Sequence, residues 1–172
     1  MFWPADLDPA VLRQPDALSC GASSVAAAHV LVAGWRPIDA PAQIAALHRE
    51  LTSTRSARDR FQTPWPRSLG TPPWAVANAL NALTERRIAT VNVRPRPQVG
   101  FEVLAEQVAL RPTAAYIGSR WLPRHVVLAV RRIGDAIEVF DPAAGALVRV
   151  EEERWSTHTV GVAGWSHFWF VV

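Results

Sequence analysis

The stretch from Cys20 to Ala33 constrains the fold more than any other part of this chain. At helical spacing its apolar residues Val25, Ala26, Ala27, Val30, Leu31 and Val32 cover nearly the whole circumference. A helix that is apolar all round belongs in an interior, so the remaining residues must fold around it. Gly34 supplies a natural stop. Ser19, Gly21, Ser23 and Ser24 suit the opening turn, where backbone N–H groups lack intrahelical partners. With 172 residues, 49% hydrophobic and 19% charged, the chain can bury such a helix as one domain spanning 1–172.

The flanking patterns predict what does the covering. A second helix is expected over Pro41–Leu51, with Asp39 near its start and Pro41 in its first turn. Thr52–Gly70 reads as a long loop, a kind that is often functional. A third helix is expected from Thr71-Pro72-Pro73 to about Thr84, with Trp74, Ala77, Leu80 and Leu83 inward. Ile88–Val93 reads as a strand, Pro95 and Pro97 break the pattern, and Phe101–Leu110 has helical spacing. Strands then take over: Thr113–Ile117, His125–Arg131, Ala136–Phe140, Ala146–Val150 and Phe168–Val172. Helices followed by a largely antiparallel sheet make an α+β fold.

Charge narrows the function. All 18 basic residues are arginine, and the formal charge is only +3 despite a pI near 10.3. Without lysine and with one tyrosine, little releases protons between neutral pH and the arginines, so the pI climbs. No dense basic run accompanies it, which argues against a nucleic-acid partner. No apolar run approaches the ~20 residues of a membrane span. Met1–Asp6 lacks a basic head and apolar segment, so the expected location is the cytoplasm, or export by a specialised secretion system. The missing lysines have two readings: a GC-rich genome, which scarce asparagine and tyrosine also fit, or selection in a protein delivered into a host cell. One cysteine excludes an internal disulfide framework and a multi-thiolate zinc site. No metal constellation, phosphate-cradling loop or cofactor motif is present, so no cofactor is expected.

That cysteine, Cys20, sits where a reactive thiol belongs. The positive end of a helix dipole favours the thiolate, and Gly21 lets a second backbone or a substrate carbonyl approach. A buried apolar cysteine is the plainer alternative. A nucleophilic thiol needs a base. His29 lies more than two turns along the same helix, His48 reads as solvated beside Arg49 and Glu50, His158 falls in a loop, and His167 precedes the last strand. His125 opens the Val126–Val130 strand, which would fix its backbone. Asp141 ends the facing strand. If the two strands pair with Arg131 opposite Asp135, His125 comes opposite Asp141, close enough for an imidazole–carboxylate bond. Asp-Pro as a plain turn start is the alternative reading. An oxyanion would find donors in the Cys20 N–H and the Gln14 amide.

In order and spacing, Gln14-Pro-Asp-Ala-Leu-Ser-Cys20-Gly21-Ala-Ser-Ser, His125-Val-Val and Val139-Phe-Asp141-Pro142-Ala-Ala-Gly145 resemble the bacteriocin-processing (double-glycine leader) peptidase family of the papain-like cysteine peptidase clan. The resemblance implies a papain-like fold, with Cys20 as nucleophile, His125 as general base and acid, Asp141 as orienting group and Gln14 in the oxyanion hole. It also implies a protein or peptide substrate. Two departures stand out. Ser19 replaces the acidic residue common before the family's cysteine, and the transporter that accompanies leader-processing members is absent from this chain. Papain-like folds also serve deamidases, transglutaminases and secreted toxins, which share the thioacyl-enzyme and differ in what resolves it. A toxin or effector would bring an immunity protein or a secretion partner. A non-catalytic binding domain of the same fold is the third reading.

Of the eight tryptophans, Trp35, Trp74 and Trp121 are expected in core or cleft walls and Trp165 and Trp169 in the core. Trp65, between Pro64 and Pro66, lines a substrate groove or anchors its loop. Arg120 and Arg124 flank the approach to His125 and could attract an acidic substrate, with solvated strand ends as the alternative.

Overall fold

A computed structural model describes residues 1–56 and 58–172. Three helices come first: α1 (Cys20–Ala33), α2 (Ala40–Leu51) and α3 (Pro73–Thr84). Then follow β1 (Val91–Asn92), α4 (Pro97–Leu110), β2 (Thr113–Gly118), β3 (Pro123–Ile133), β4 (Ala136–Asp141), β5 (Ala146–Glu151), α5 (Glu152–Ser156) and β6 (His167–Val171). The strands form one antiparallel sheet in the order β1-β6-β2-β3-β4-β5.

The sheet separates two apolar layers. On one face α1 packs across β3, flanked by α2 and α3, and Val25, Ile44, Leu80, Tyr116, Leu128 and Phe140 are buried there. On the other face α4 and α5 bury Leu104, Ile117, Val127, Val139, Trp155 and Phe168. Strand alternation explains the division, since Ala114, Tyr116, Val126 and Leu128 face α1 while Ala115, Ile117, Val127 and Ala129 face α4. As its composition demands, α1 is buried from Cys20 to Ala28 and ends in left-handed Gly34, though Val32 emerges into solvent in the last turn. Asp39 caps α2 by accepting from the Ala42 N–H at 3.1 Å. Among the described residues no helix is long and apolar enough to cross a membrane.

Several expectations need correction. Pro97 starts α4 rather than breaking the pattern; at the first helical position its missing N–H costs nothing, so the helix begins four residues before Phe101. The Ile88–Val93 strand shrinks to Val91–Asn92, because the Ile88 N–H is taken by the Asn81 side chain and only two residues pair with β6. The 52–70 loop is organised around buried Gln62, whose amide lies within 3.3 Å of the carbonyls of Glu50, Leu51, Ser53 and Arg55. Helix α5 was not expected; it delivers Trp155, fully buried against Phe168 at 4.7 Å. His48 is buried rather than solvated, since it shares the inward stripe of α2 with Ile44 and Leu51. Trp121 is 68% exposed, and Trp165 and Trp169 are only partly buried.

The β3–β4 pairing also departs from the expected register. Ile133 faces Ala136 across a two-residue turn in which Gly134 takes a left-handed φ of 63°. A bulge between Ala129 and Arg131 then shifts the ladder, so that Leu128 faces Phe140. One residue further, Asp141 falls opposite Val127 rather than His125. His125 lies two residues from Val127 and so keeps the same side of the strand.

Candidate active site

Three remote segments converge at one end of the sheet, and the backbone shows how. The Gln14 N–H donates to the Pro142 carbonyl at 2.9 Å, and Arg13 Nε to the Ala143 carbonyl at 3.0 Å. Gly145 permits this junction. Its φ is +65°, and a Cβ there would lie 2.9 Å from Arg13 Cβ and 3.0 Å from Ala10 Cα. Helix α1 is fixed to both neighbours: Ser23 Oγ donates to the Leu12 carbonyl and Ser24 Oγ to that of Val126 at 3.2 Å. The serines expected to serve the helix's own opening turn thus bind its surroundings instead.

This scaffold brings Cys20, His125 and Asp141 together. Each is buried, at 5%, 4% and 3% exposure. His125 Nε2 lies 2.7 Å from Asp141 Oδ1. The same carboxylate oxygen accepts the Ala143 N–H at 3.0 Å, so Asp141 both opens its turn and holds the ring. With Nε2 committed to Asp141, Nδ1 is the ring nitrogen left for Cys20, which is near enough to help raise the imidazole's pKa.

The electrostatics follow from these contacts. Burial pulls the His125 pKa down, but hydrogen bonds to Asp141 and Cys20, and the charge on each, prevail and push it up to about 9. For Asp141, burial raises the pKa, while the His125 hydrogen bond and charge and the Ala143 and Ala144 N–H groups outweigh it and hold the carboxyl below its ordinary value. Burial, and secondarily the charge at Cys20, pushes Tyr116 well above the usual phenol range, so it stays a neutral donor to the Thr71 carbonyl at 3.0 Å.

Around the sulfur, Gly21 is tight against Thr71, not open to a substrate. A Cβ at Gly21 would come 2.6 Å from Thr71 Cβ. Thr71 and Tyr116 carried no sequence signal, because their importance comes from meeting α1 across the fold. No side chain caps α1, which leaves its first N–H groups, that of Cys20 included, without a side-chain acceptor. Gln14 donates one amide hydrogen to the Asp16 carbonyl at 2.7 Å, keeping a second for another acceptor, while its Oε1 is buried without a partner.

Trp65 packs edge-on against Trp74 with centroids 5.2 Å apart, its N–H buried and unbonded. Arg124 is exposed on β3 immediately before His125. Arg120 lies over the Trp121 ring at 4.3 Å in the β2–β3 turn. Gly118 makes that turn feasible, since a Cβ there would meet the Leu122 carbonyl oxygen at 2.2 Å. Among the described residues no group of three or more His, Cys, Asp or Glu side chains could hold a metal.

No family model matches the chain, and no curated protein matches its sequence. Solved structures do match its fold. One is a double-glycine motif protease from an AMS/PCAT transporter, in complex with the leader peptide. It is 16% identical, with a TM-score of 0.53 over 94% of this chain and 88% of its own. Another is the peptidase domain of Streptococcus ComA, a bifunctional ABC transporter of a quorum-sensing pathway. It is also 16% identical, with a TM-score of 0.52 over 93% and 95%. The helices and six-stranded antiparallel sheet described above are the papain-like α+β fold of these peptidase domains.

Proposed function

We propose that this protein is a cysteine-dependent amide hydrolase, a thiol peptidase acting on a peptide or protein substrate. The observation that carries this reading is the buried pair of His125 and Asp141, 2.7 Å apart, whose free ring nitrogen addresses the sulfur at the start of α1. With its pKa at about 9, His125 holds the proton given up by Cys20 on Nδ1 at neutral pH, and the sulfur attacks the substrate carbonyl carbon as the thiolate. The Cys20 N–H and the second Gln14 amide hydrogen hold the resulting oxyanion. When the tetrahedral intermediate collapses, the C–N bond breaks and imidazolium gives its proton to the leaving amine. Water, deprotonated by His125, then cleaves the thioester and restores the thiolate beside protonated His125. Asp141 keeps the ring oriented and stabilises its charged form throughout. We assign substrate contacts to Arg124, exposed immediately before His125, and to Trp65, whose ring N–H is buried without a partner.

The fold's neighbours are peptidases, one of them holding a leader peptide, so peptides with a Gly-Gly site are the substrates to try first. Incubation with a Gly-Gly peptide set, followed by mass spectrometry, should give fragments that vanish in Cys20→Ala, a loss of about 10³-fold or more. Undiminished cleavage in that variant ends the proposal. A mass gain of about 1 Da without cleavage would assign the same thioacyl chemistry to a glutamine deamidase. Genomic neighbours encoding an immunity protein or a secretion system would identify a delivered effector.

A further inference from the structure

We propose that this protein carries a second binding site, remote from Cys20, that takes a carboxylate-rich segment of a partner protein. The site is a concavity of about 500 Å³ lined by Arg58, Arg60, Arg86 and Arg87, with Phe61, Asn78 and Asn81 between them. Two segments supply the guanidinium groups, the 52–70 loop and the residues just past α3. One carboxylate, Glu85, joins the lining.

Its place in the fold separates it from the catalytic residues. Thr71, which abuts Gly21, stands before the first turn of α3, whereas Asn81 and Glu85 stand at the helix's other end. A helix of twelve residues is about 18 Å long. The two sites thus lie at opposite ends of α3.

The charge has no sufficient internal purpose. Arg86 and Arg87 follow the C-terminus of α3, where cations complement the helix dipole. That accounts for neither Arg58 nor Arg60. Arg58 does donate to the Asn81 carbonyl at 3.0 Å, but no carboxylate lies within 4.0 Å of any of the four guanidinium groups among the described residues. The asymmetry extends along the sequence: residues 55–96 hold eight arginines and two carboxylates, and the rest of the chain ten arginines and thirteen carboxylates. Concentrating like charge on one surface costs stability and favours an oppositely charged partner. Phe61, 81% exposed at the rim, adds an apolar contact that a free inorganic anion would not use.

A short acidic peptide segment fits better than a nucleic acid. A phosphodiester chain needs basic groups spaced along a track. Here they surround a single concavity, and a polyanion running past it meets a remainder with excess negative charge.

The test is fluorescence anisotropy with a labelled deca-glutamate peptide, at low salt and at about 0.5 M salt, where exposed charges are screened. Wild type and Cys20→Ala should bind alike, more weakly at high salt. Arg58→Ala/Arg86→Ala/Arg87→Ala should bind at least about ten-fold more weakly, and Arg49→Ala/Arg132→Ala/Arg149→Ala, which removes equal charge elsewhere, within about three-fold of wild type. All six positions are exposed, so folding should survive, and Arg60→Glu alone provides a second variant. Equal losses in both triple variants, no binding by wild type, or tighter binding of a single-stranded DNA decamer displaced by the peptide would overturn the proposal.

Discussion

The Gln14 N–H reaches the Pro142 carbonyl at 2.9 Å, tying the segment that leads into Cys20 to the turn that carries Asp141. Through this backbone bond a main-chain role and a side-chain role fall on the same residue, and substitution separates them. Gln14→Ala keeps the N–H and should leave stability within about 0.5 kcal/mol. It removes the amide, so kcat should fall by about 10²–10³ if that group binds the oxyanion. Gly145→Ala does the reverse. Its added methyl meets Arg13 and Ala10 at a left-handed φ, so unfolding free energy should drop by about 1–3 kcal/mol. Denaturant titration and peptide-cleavage kinetics on both variants test the separation.

Asp141→Asn removes the charge that favours imidazolium while preserving the side chain's size. The His125 pKa should fall from about 9 toward its ordinary 6.5, followed by NMR of the ring protons. Activity at neutral pH should drop by about ten-fold or more, because the imidazolium is less stabilised. A His125 titration unchanged in Asp141→Asn would show that the 2.7 Å contact does not govern the ring.

The same pair predicts a pH dependence of folding. His125 has a folded pKa above its unfolded value, so its contribution is complete below about pH 6.5 and is lost as pH rises through about 9. Asp141, with a lowered folded pKa, contributes above its unfolded value near 3.8 and loses that contribution as pH falls through the folded pKa. Between pH 6.5 and 9.5 wild type should lose about 1–3 kcal/mol, or roughly 3–10 °C in Tm. No lysine titrates in this window, and the one tyrosine is pushed higher still. Differential scanning calorimetry should show a much smaller decline for His125→Gln.

Much of this arrangement was legible before folding. The span of α1 follows from its apolar circumference and Gly34, and the Cys, His and Asp segments stand out by order and spacing. The register did not. A simple ladder places His125 directly opposite Asp141. The two-residue Gly134-Asp135 turn instead sets an offset that would put the two side chains on opposite faces. The bulge at Val130 restores a common face, and the pair meets diagonally. A bulge has no strong composition signal, because one extra valine in a valine-rich strand looks like its neighbours. His48 was misread for the opposite reason: adjacent Arg49 and Glu50 suggested solvent, although the Ile44, His48 and Leu51 spacing already marked the buried stripe. Pro97 shows the same ambiguity, since a proline that breaks one pattern opens the next.

Contacts made only by folding offer the sharpest remaining prediction. Gly21 follows Cys20 and lies so close to Thr71 that a Cβ would stand 2.6 Å from Thr71 Cβ and 2.8 Å from its Oγ1. Neither side yields easily. Gly21 is inside α1, and Thr71 is held through its carbonyl by Tyr116. Gly21→Ala should therefore push α1 and the 70–72 segment apart, moving the Cys20 sulfur relative to His125. Overpacking of this kind costs about 1–3 kcal/mol, and a misplacement near 1 Å can cost about 10²-fold in rate. Thr71→Gly removes the atoms in the way, so Gly21→Ala/Thr71→Gly should recover part of both losses. A double-mutant cycle on stability and kcat/KM measures the coupling, which should reach about 1 kcal/mol. Additive effects in that cycle would mean that the two residues do not constrain Cys20 through each other.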